Sequence, residues 1–160
     1  MTAFRQTLGF CAPILGVLLA ACAATEDNRR STPAEPQAFP STTGSNAPFS
    51  PAVLVRDTLY VAGHLGIDAA TGAPPADPAA EANLLLDGFA ATLARADLTM
   101  DDLVQVQVFC TDVALYDVWN RVYRTRFQGP FPARAFVGSG PLVRGARFEM
   151  LGIAVRSTDH

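Results

Sequence analysis

The sequence contains no lysine, and all 12 of its basic residues are arginine. Its 15 acidic residues outnumber them, which leaves a formal net charge of −3. Proteins that bind the phosphate backbone concentrate positive charge, so this composition argues against a nucleic-acid partner. Histidine is scarce too. His64 and His160 are far apart and have no cysteine cluster beside them, which excludes the usual spacing of a metal site.

Cysteine is also rare, with three residues in the chain. Cys11 lies in an amino-terminal apolar run and Cys22 follows that run, which leaves Cys110 as the only thiol of a folded domain. An intrachain disulfide framework is therefore excluded. Cys110 alternates in phase with nearby valines, which predicts a buried and inert thiol.

An uncharged apolar run spans residues 6–21 and follows Arg5. It is shorter than the roughly 20 residues that cross a bilayer, and it fits the apolar region of a secretory signal peptide. Its end, Leu19-Ala20-Ala21-Cys22, resembles the lipobox of bacterial lipoproteins, in which the cysteine is lipidated. We expect a signal peptide at 1–21, lipidation at Cys22, and export. The lipid anchor is expected to be the only attachment to a membrane.

The residue after Cys22 is Ala23 rather than aspartate, which in the Gram-negative pathway indicates the outer membrane, facing the periplasm. A plain signal peptide with a chance cysteine is the alternative. Residues 22–47 are rich in Pro, Ser, Thr and Ala and lack periodicity, so the lipidated cysteine is expected to lead into a disordered tether.

Residues 48–156 predict one folded domain, followed by a short tail at 157–160. Asp77-Pro78 is typical of a helix start, with the cap residue followed by proline at the first helical position. The predicted order is β-β-α-β-α-β-β, with strands at about 52–56, 58–66, 103–111, 133–139 and 146–156 and helices at about 78–96 and 115–127. The strand–helix–strand crossovers predict parallel neighbouring strands with both helices on one sheet face.

The last predicted strand is apolar on both sides. Phe148, Met150 and Ala154 alternate with Leu151 and Ile153. Two helices cover only one face of a small sheet, so the pattern predicts that a second subunit covers the other face. We therefore expect a homo-oligomer.

Several segments, in order, resemble the RidA family, also called the YjgF family. They include Pro48-Phe49-Ser50-Pro51-Ala52, Leu59-Tyr60-Val61-Ala62-Gly63-His64, the strand at 104–113, Phe131-Pro132-Ala133-Arg134, and residues 148–155. The resemblance covers almost the whole predicted domain. It implies an α+β fold of the chorismate-mutase-like kind, a mixed sheet with two helices on one face, assembled as a homotrimer with clefts between subunits.

The resemblance also implies an activity, which is the hydrolysis of reactive enamine or imine acids to 2-keto acids and ammonia without a metal or organic cofactor. Arg134 matches the family arginine that holds the substrate carboxylate, and Glu149 matches the glutamate that orients or activates water. Asn120 matches a common asparagine of the second helix. Arginine pairs bidentately with a carboxylate, and glutamate accepts a proton from water, so both residue types suit these tasks.

Four positions differ from residues common in that family. Phe49 stands in place of tyrosine, Ala62 in place of serine, and Phe136 in place of cysteine or threonine. His64 replaces glutamine and either contacts the substrate or is a satisfied structural histidine. With Phe49, His64 and Phe136 as expected substrate contacts, we expect a drier pocket and an altered substrate.

Two other functions remain open at this point. The same cleft suits a non-catalytic module that binds a small carboxylic acid through Arg134. Ribonuclease activity, which the family resemblance also raises, is disfavoured by the acidic charge and the absence of lysine.

Overall fold

The computed structural model describes residues 34–41 and 47–157. The predicted signal peptide, Cys22, most of the predicted tether and residues 158–160 lie outside the described residues. Within the described part, no helix combines the length and the apolar character needed to cross a membrane.

Among the residues that the structure describes, two helices and six strands form the domain. The strands are β1 (Gln37–Phe39), β2 (Ala52–Val55), β3 (Thr58–Leu65), β4 (Leu103–Cys110), β5 (Ala133–Gly138) and β6 (Phe148–Val155), and the helices are α1 (Pro78–Ala94) and α2 (Tyr116–Tyr123). Every predicted element is present. The second helix is shorter than predicted, because a 3₁₀ turn over Arg124–Arg126 tightens its end.

The strands form one mixed sheet in the order β1-β2-β3-β6-β4-β5. Strands β4 and β5 are parallel neighbours, as their helical crossover predicts. Strands β3 and β4 are also parallel to each other, but the expectation that they are neighbours is wrong, because β6 inserts between them and runs antiparallel to both. A strand that is apolar on both sides belongs at the centre of a sheet, which is why the last strand takes this place.

Both helices cover the same face of the sheet. On β6 the buried residues Phe148, Met150 and Ala154 face the helices, where Phe148 packs against Trp119 of α2. On α1 the buried stripe includes Leu85 and Phe89. The predicted α+β arrangement, with two helices on one face of a mixed sheet, is confirmed.

The start of α1 follows the prediction closely. The Asp77 carboxylate accepts hydrogen bonds from the backbone N–H groups of Ala79 and Ala80 at 3.1 and 3.2 Å. These contacts satisfy donors that have no partner inside a first helical turn. The cap therefore sets where the helix begins.

The register of β4 differs from the prediction at one point. A shift in pairing between Leu103 and Gln105 turns Leu103 toward the core and leaves Val104 about half exposed. Val106, Val108 and Cys110 are fully buried, as their alternation predicts. The extra residue in the strand reverses which neighbour faces the helices.

The predicted tether needs correction over a short stretch. Residues 37–39 form β1, which pairs antiparallel with β2, and Phe39 is buried against the core. The edge of β2 offers unpaired backbone groups, and the single aromatic residue of the segment supplies apolar area to bury. The composition of the whole segment does not reveal a strand of only three residues.

The sheet face away from the helices is only partly covered. Leu151 and Ile153 are half-buried there, while Tyr60 and Val137 are exposed. These residues belong to β6, β3 and β5, so the apolar character extends across the sheet rather than along one strand. This surface is called the open face below.

Candidate active site

Arg134 lies on β5, the edge strand beside β4, on the helix side of the sheet. Its Nη2 donates a hydrogen bond to Asn120 Oδ1 of α2 at 2.7 Å. The guanidinium also lies over two aromatic rings, 5.8 Å from the centroid of Tyr116 and 4.7 Å from that of Tyr123. The three helix residues are spaced by four and three positions, which places them on one side of α2. They hold the planar guanidinium in one orientation while its remaining donors stay available.

A cavity of about 310 Å³ opens beside this arginine. Aromatic and proline side chains form much of its wall, in Tyr116, Tyr123, Phe131 and Pro132. Polar groups enter from Arg134 and Asn120, and a second arginine, Arg124, completes the lining. A concave, largely apolar site with a few convergent polar groups is typical of small-molecule binding.

The two tyrosines of the cavity titrate differently. The pKa of Tyr116 is lowered by its hydrogen bond with the Asn120 side chain and by the charge of Arg134. Burial raises the pKa of Tyr123 to about 12, and Arg134 opposes only part of that rise. The buried Tyr123 hydroxyl has no hydrogen-bond partner among the described residues. The Tyr123 phenol is therefore protonated near neutral pH.

Glu149 lies on the opposite face of the sheet from Arg134. It follows Phe148 on β6 and shares the open face with Leu151 and Ile153, on a strand separated from β5 by β4. Its carboxylate occupies the space beside Gly63, where a Cβ atom would stand only 2.0 Å from Oε1. Among the described residues, nothing hydrogen-bonds to this carboxylate. One chain therefore does not bring Arg134 and Glu149 into a common site.

His64 lies on the helix side, between β3 and α1, where its ring packs against Phe89 with centroids 5.0 Å apart. Nδ1 donates to the Ala62 carbonyl oxygen at 2.8 Å, and Nε2 lies 2.8 Å from Thr92 Oγ1. Burial lowers the pKa of the imidazole, so the ring is neutral near pH 7. The Thr92 hydroxyl that contacts Nε2 also donates to the Gly88 carbonyl oxygen at 3.1 Å. Both nitrogens are engaged within the chain, which favours the structural alternative over the predicted substrate contact.

Phe49 and Phe136 have different environments. Phe49 is exposed in the segment before β2. That strand lies toward the opposite edge of the sheet from β5, which carries Arg134. Phe136 is half-buried and packs edge-on against Tyr116, with ring centroids 5.1 Å apart. It does not line the cavity but supports a residue that does. Of the predicted contacts, the chain brings only Asn120 directly to Arg134.

Four residues that line the cavity, Tyr116, Tyr123, Arg124 and Phe131, are not among the site residues predicted from the sequence. The signal was present in the helix, because Tyr116, Asn120 and Tyr123 recur at the spacing of one helical face. This spacing alone does not indicate a site, since aromatic residues that recur on one helical face usually form core. The position of β5 beside α2 distinguishes the two.

Comparison with known proteins agrees with the fold. A family model described as Endoribonuclease L-PSP matches residues 40–156. The 2-iminobutanoate/2-iminopropanoate deaminase of Bos taurus is 37% identical over 110 residues, which cover 68% of this chain and 80% of the bovine protein.

Two solved structures are also similar to this chain. The Escherichia coli TdcF structure with bound serine superposes with a TM-score of 0.67 at 29% identity, covering 79% of this chain and 99% of TdcF. The YjgF gene product of Escherichia coli superposes with a TM-score of 0.66 at 30% identity, covering 71% of this chain and 91% of YjgF.

Proposed function

Because this chain belongs to the Endoribonuclease L-PSP family, also called the RidA or YjgF family, we propose that it hydrolyses reactive 2-imino and 2-enamino acids to 2-keto acids and ammonia. The observation that carries the proposal is Arg134, held by Asn120 and two tyrosine rings at the wall of a small cavity. The relatives named as 2-iminobutanoate/2-iminopropanoate deaminases support the reaction class.

Arg134 binds the substrate carboxylate in this proposal. A guanidinium stays charged at any relevant pH and offers two parallel N–H groups to a carboxylate. Asn120 and the two rings restrict its motion, so less conformational freedom is lost when the acid binds. The substrate is thereby oriented before any bond changes.

Glu149 handles the water. The imine carbon is electrophilic once its nitrogen is protonated, and water adds to it as Glu149 accepts a proton from that water. Glu149 then returns this proton to the nitrogen of the carbinolamine. The C–N bond breaks as the carbonyl forms, and the hydroxyl proton leaves with the ammonia as ammonium. The carboxylate has no hydrogen-bond partner among the described residues, which leaves it available for this task.

A complete site of this kind requires a second copy of the chain, because Arg134 and Glu149 lie on opposite faces of one sheet. The apolar open face carries Glu149 and supplies area for association. A groove of about 510 Å³ along β4 and β5, lined in part by Ala133 and Ala135, runs from this face to Arg134. We propose a homotrimer in which each cleft combines Arg134 of one copy with Glu149 of another.

The central test measures keto acid release from imino acids made in place by an amino-acid oxidase. Arg134→Ala removes the partner of a carboxylate in a partly desolvated cleft, where such a loss amounts to about 3–5 kcal/mol. We expect kcat/KM to fall a hundredfold or more. Arg134→Lys restores only part of the rate, since an ammonium is a point charge.

Glu149→Gln keeps the shape but removes the proton acceptor, so we expect it to lower kcat more than it raises KM. A folded Arg134→Ala protein with the rate of the unmodified chain contradicts the proposed role of the arginine.

A binding module that captures small carboxylic acids without turnover is the second candidate. The separation of Arg134 from Glu149 within one chain favours it, because carboxylate capture needs only the first residue. It is supported if the protein binds carboxylates yet releases no keto acid from any imino acid. Ribonuclease activity is a weaker candidate for this acidic chain, and a metal-free assay of RNA degradation tests it.

We also propose that the protein works outside the cytoplasm, anchored through lipid on Cys22 at the outer membrane and facing the periplasm. The proposal is supported by the apolar run at 6–21 and by Leu19-Ala20-Ala21-Cys22. Cys22→Ser is expected to move the protein from the membrane fraction to the soluble fraction or to leave it unprocessed. Identical partitioning of the two proteins contradicts the anchor.

A further inference from the structure

The cavity beside Arg134 carries more positive charge than the rest of the chain predicts. The protein as a whole has a formal net charge of −3. Among the described residues, the cavity lining nevertheless includes two arginines, Arg124 and Arg134, and no aspartate or glutamate. A cationic cavity in an acidic protein concentrates anions from solution.

The two charges act on the same region. Tyr116 lines the cavity, and its pKa is lowered first by the hydrogen bond with the Asn120 side chain, then by the charge of Arg134 and, to a smaller extent, that of Arg124. The phenol is therefore within electrostatic reach of both guanidinium groups. An anion placed beside this phenol is attracted by both.

Arg124 differs from the arginine one half-turn further along. Arg126 donates to Asp87 Oδ1 at 2.5 Å and to Asn83 Oδ1 at 2.6 Å, so its charge is paired within the chain. Among the described residues, Arg124 has no carboxylate partner within salt-bridge distance. Its charge is left for solvent or for a ligand.

Tyr123 also lines the cavity. Its hydroxyl is buried and lacks a hydrogen-bond partner among the described residues, which is uncommon in folded proteins. Because the hydroxyl oxygen is closed to solvent, the positive charge available to an anion in the cavity comes from Arg124 and Arg134.

We propose that this cavity selects a dicarboxylic substrate, in which Arg134 binds the carboxylate next to the imine and Arg124 binds a second carboxylate at the far end. The inference rests on the proposed deaminase function and names its substrate class. The volume of about 310 Å³ corresponds to roughly ten heavy atoms at the ~30 Å³ that each water occupies in the liquid, which suits a short diacid.

The test compares imino acids made in place from glutamate and from 2-aminobutyrate, using the full-length chain. The unmodified protein is expected to have the higher kcat/KM for the imine of glutamate. Arg124→Gln removes one charge-assisted contact, so we expect the glutamate-to-aminobutyrate ratio of kcat/KM to fall about tenfold or more. Arg124→Glu is expected to lower the ratio further, since like charges repel.

Arg121→Gln is the matched control. Arg121 is exposed on the same helix and does not line the cavity, and its replacement removes the same formal charge. We expect the control to leave the ratio unchanged. An unchanged ratio in Arg124→Gln, or a preference of the unmodified protein for the monocarboxylic imine, overturns the inference.

Equilibrium binding separates this inference from the proposed reaction. Calorimetry with glutarate and butyrate, which do not react, is expected to show tighter binding of glutarate and loss of that difference in Arg124→Gln. If no imino acid is hydrolysed but this pattern holds, the deaminase proposal fails, whereas the assignment of Arg124 and Arg134 as the pair that binds a diacid stands. Equal binding of both acids overturns the inference even if imines are hydrolysed.

Discussion

Gly63 and Gly152 lie in neighbouring strands, yet their missing side chains have different consequences. A Cβ on Gly152 meets the backbone oxygen of Gln105 at 2.9 Å and two core side chains at 3.2 Å. The three atoms nearest to a Cβ on Gly63 all belong to the Glu149 side chain, and Oε1 lies 2.0 Å away. Backbone cannot yield cheaply, whereas the end of a flexible side chain can. The absence of a side chain at Gly152 is therefore needed for the packing of the core, whereas its absence at Gly63 leaves room for the Glu149 carboxylate.

Gly63→Ala is therefore expected to displace the Glu149 carboxylate while leaving the free energy of unfolding within about 1 kcal/mol of the unmodified protein. If Glu149 handles water, a shift of about 1 Å lowers turnover by up to a hundredfold. Denaturant unfolding and keto acid release measure the two effects. Gly140→Ala, which adds a methyl group with no atom within 4 Å, is the control and is expected to change neither. Full turnover in Gly63→Ala argues against a water-handling role for Glu149.

His64 makes stability depend on pH. Burial lowers its pKa below the ordinary value of 6.5, which the unfolded chain retains. Above pH 6.5 the ring is neutral in both states, and its contribution to stability is fully present. As the pH falls below 6.5, the unfolded chain takes up the proton first, so the free energy of unfolding decreases until the folded pKa is reached.

We expect His64→Gln to flatten this part of the stability profile between pH 7.5 and pH 5. Denaturant unfolding at a series of pH values measures it. His160→Gln, which changes the other histidine of the chain, is the control and is expected to keep the slope. A His64→Gln profile as steep as that of the unmodified protein shows that another group carries the dependence.

At the scale of elements, one buried carboxylate joins α1 to the start of β6. Glu81 is fully buried, and it accepts hydrogen bonds from the backbone N–H groups of Arg147 and Phe148 at 2.6 and 3.1 Å. It also pairs with the Arg147 guanidinium, which in turn donates to the carbonyl oxygens of Pro75 and Ala76. The pair fixes the loop before α1, the helix and the central strand relative to one another.

Glu81→Ala is expected to lower the free energy of unfolding by about 3–5 kcal/mol, because it leaves an unpaired charge and two backbone donors without partners. Asp87→Ala removes the exposed partner of Arg126 from the same helix. It is expected to lower the free energy of unfolding by only about 0–1 kcal/mol. Denaturant unfolding compares the two. Equal losses in the two variants contradict the role given to Glu81.

At the scale of the whole molecule, the open face decides the assembly. Ile153 lies near its centre, opposite Tyr60 on β3 and Gln105 on β4. Ile153→Asp puts a charge on a surface that we expect another copy to cover, and burying an unpaired charge is strongly unfavourable. We expect the unmodified chain to sediment as a trimer in mild detergent and the variant to sediment as a monomer.

Val143→Asp places the same charge on an exposed 3₁₀ turn between β5 and β6 and serves as the control, with the trimer expected to persist. An unmodified chain that is monomeric in dilute solution contradicts the proposed assembly. So does a trimer that survives Ile153→Asp.

Local patterns determined the elements. Alternation along residues 103–110 and 148–155, the cap at Asp77 and the apolar stripe of α1 predict strands and helices that the structure confirms, because these signals depend on neighbours in the chain. The prediction erred where distant segments decide. The two-sided apolar pattern of β6 suits a central strand, but it does not say that β3 and β4 flank it. That choice, and the pairing of Gln37–Phe39 with β2, depend on free strand edges that no local pattern reveals.

The site divides in the same way. The family resemblance selected Arg134 as a carboxylate ligand and Glu149 as the residue that handles water, and the chemistry of the two residue types suits these roles. The structure places them on opposite faces of the sheet. Only the tertiary structure brought α2 against β5, and so joined Tyr116, Tyr123 and Arg124 to the arginine in one cavity. A cavity exists between elements that are distant in sequence, and its lining follows from packing rather than from any single stretch of chain.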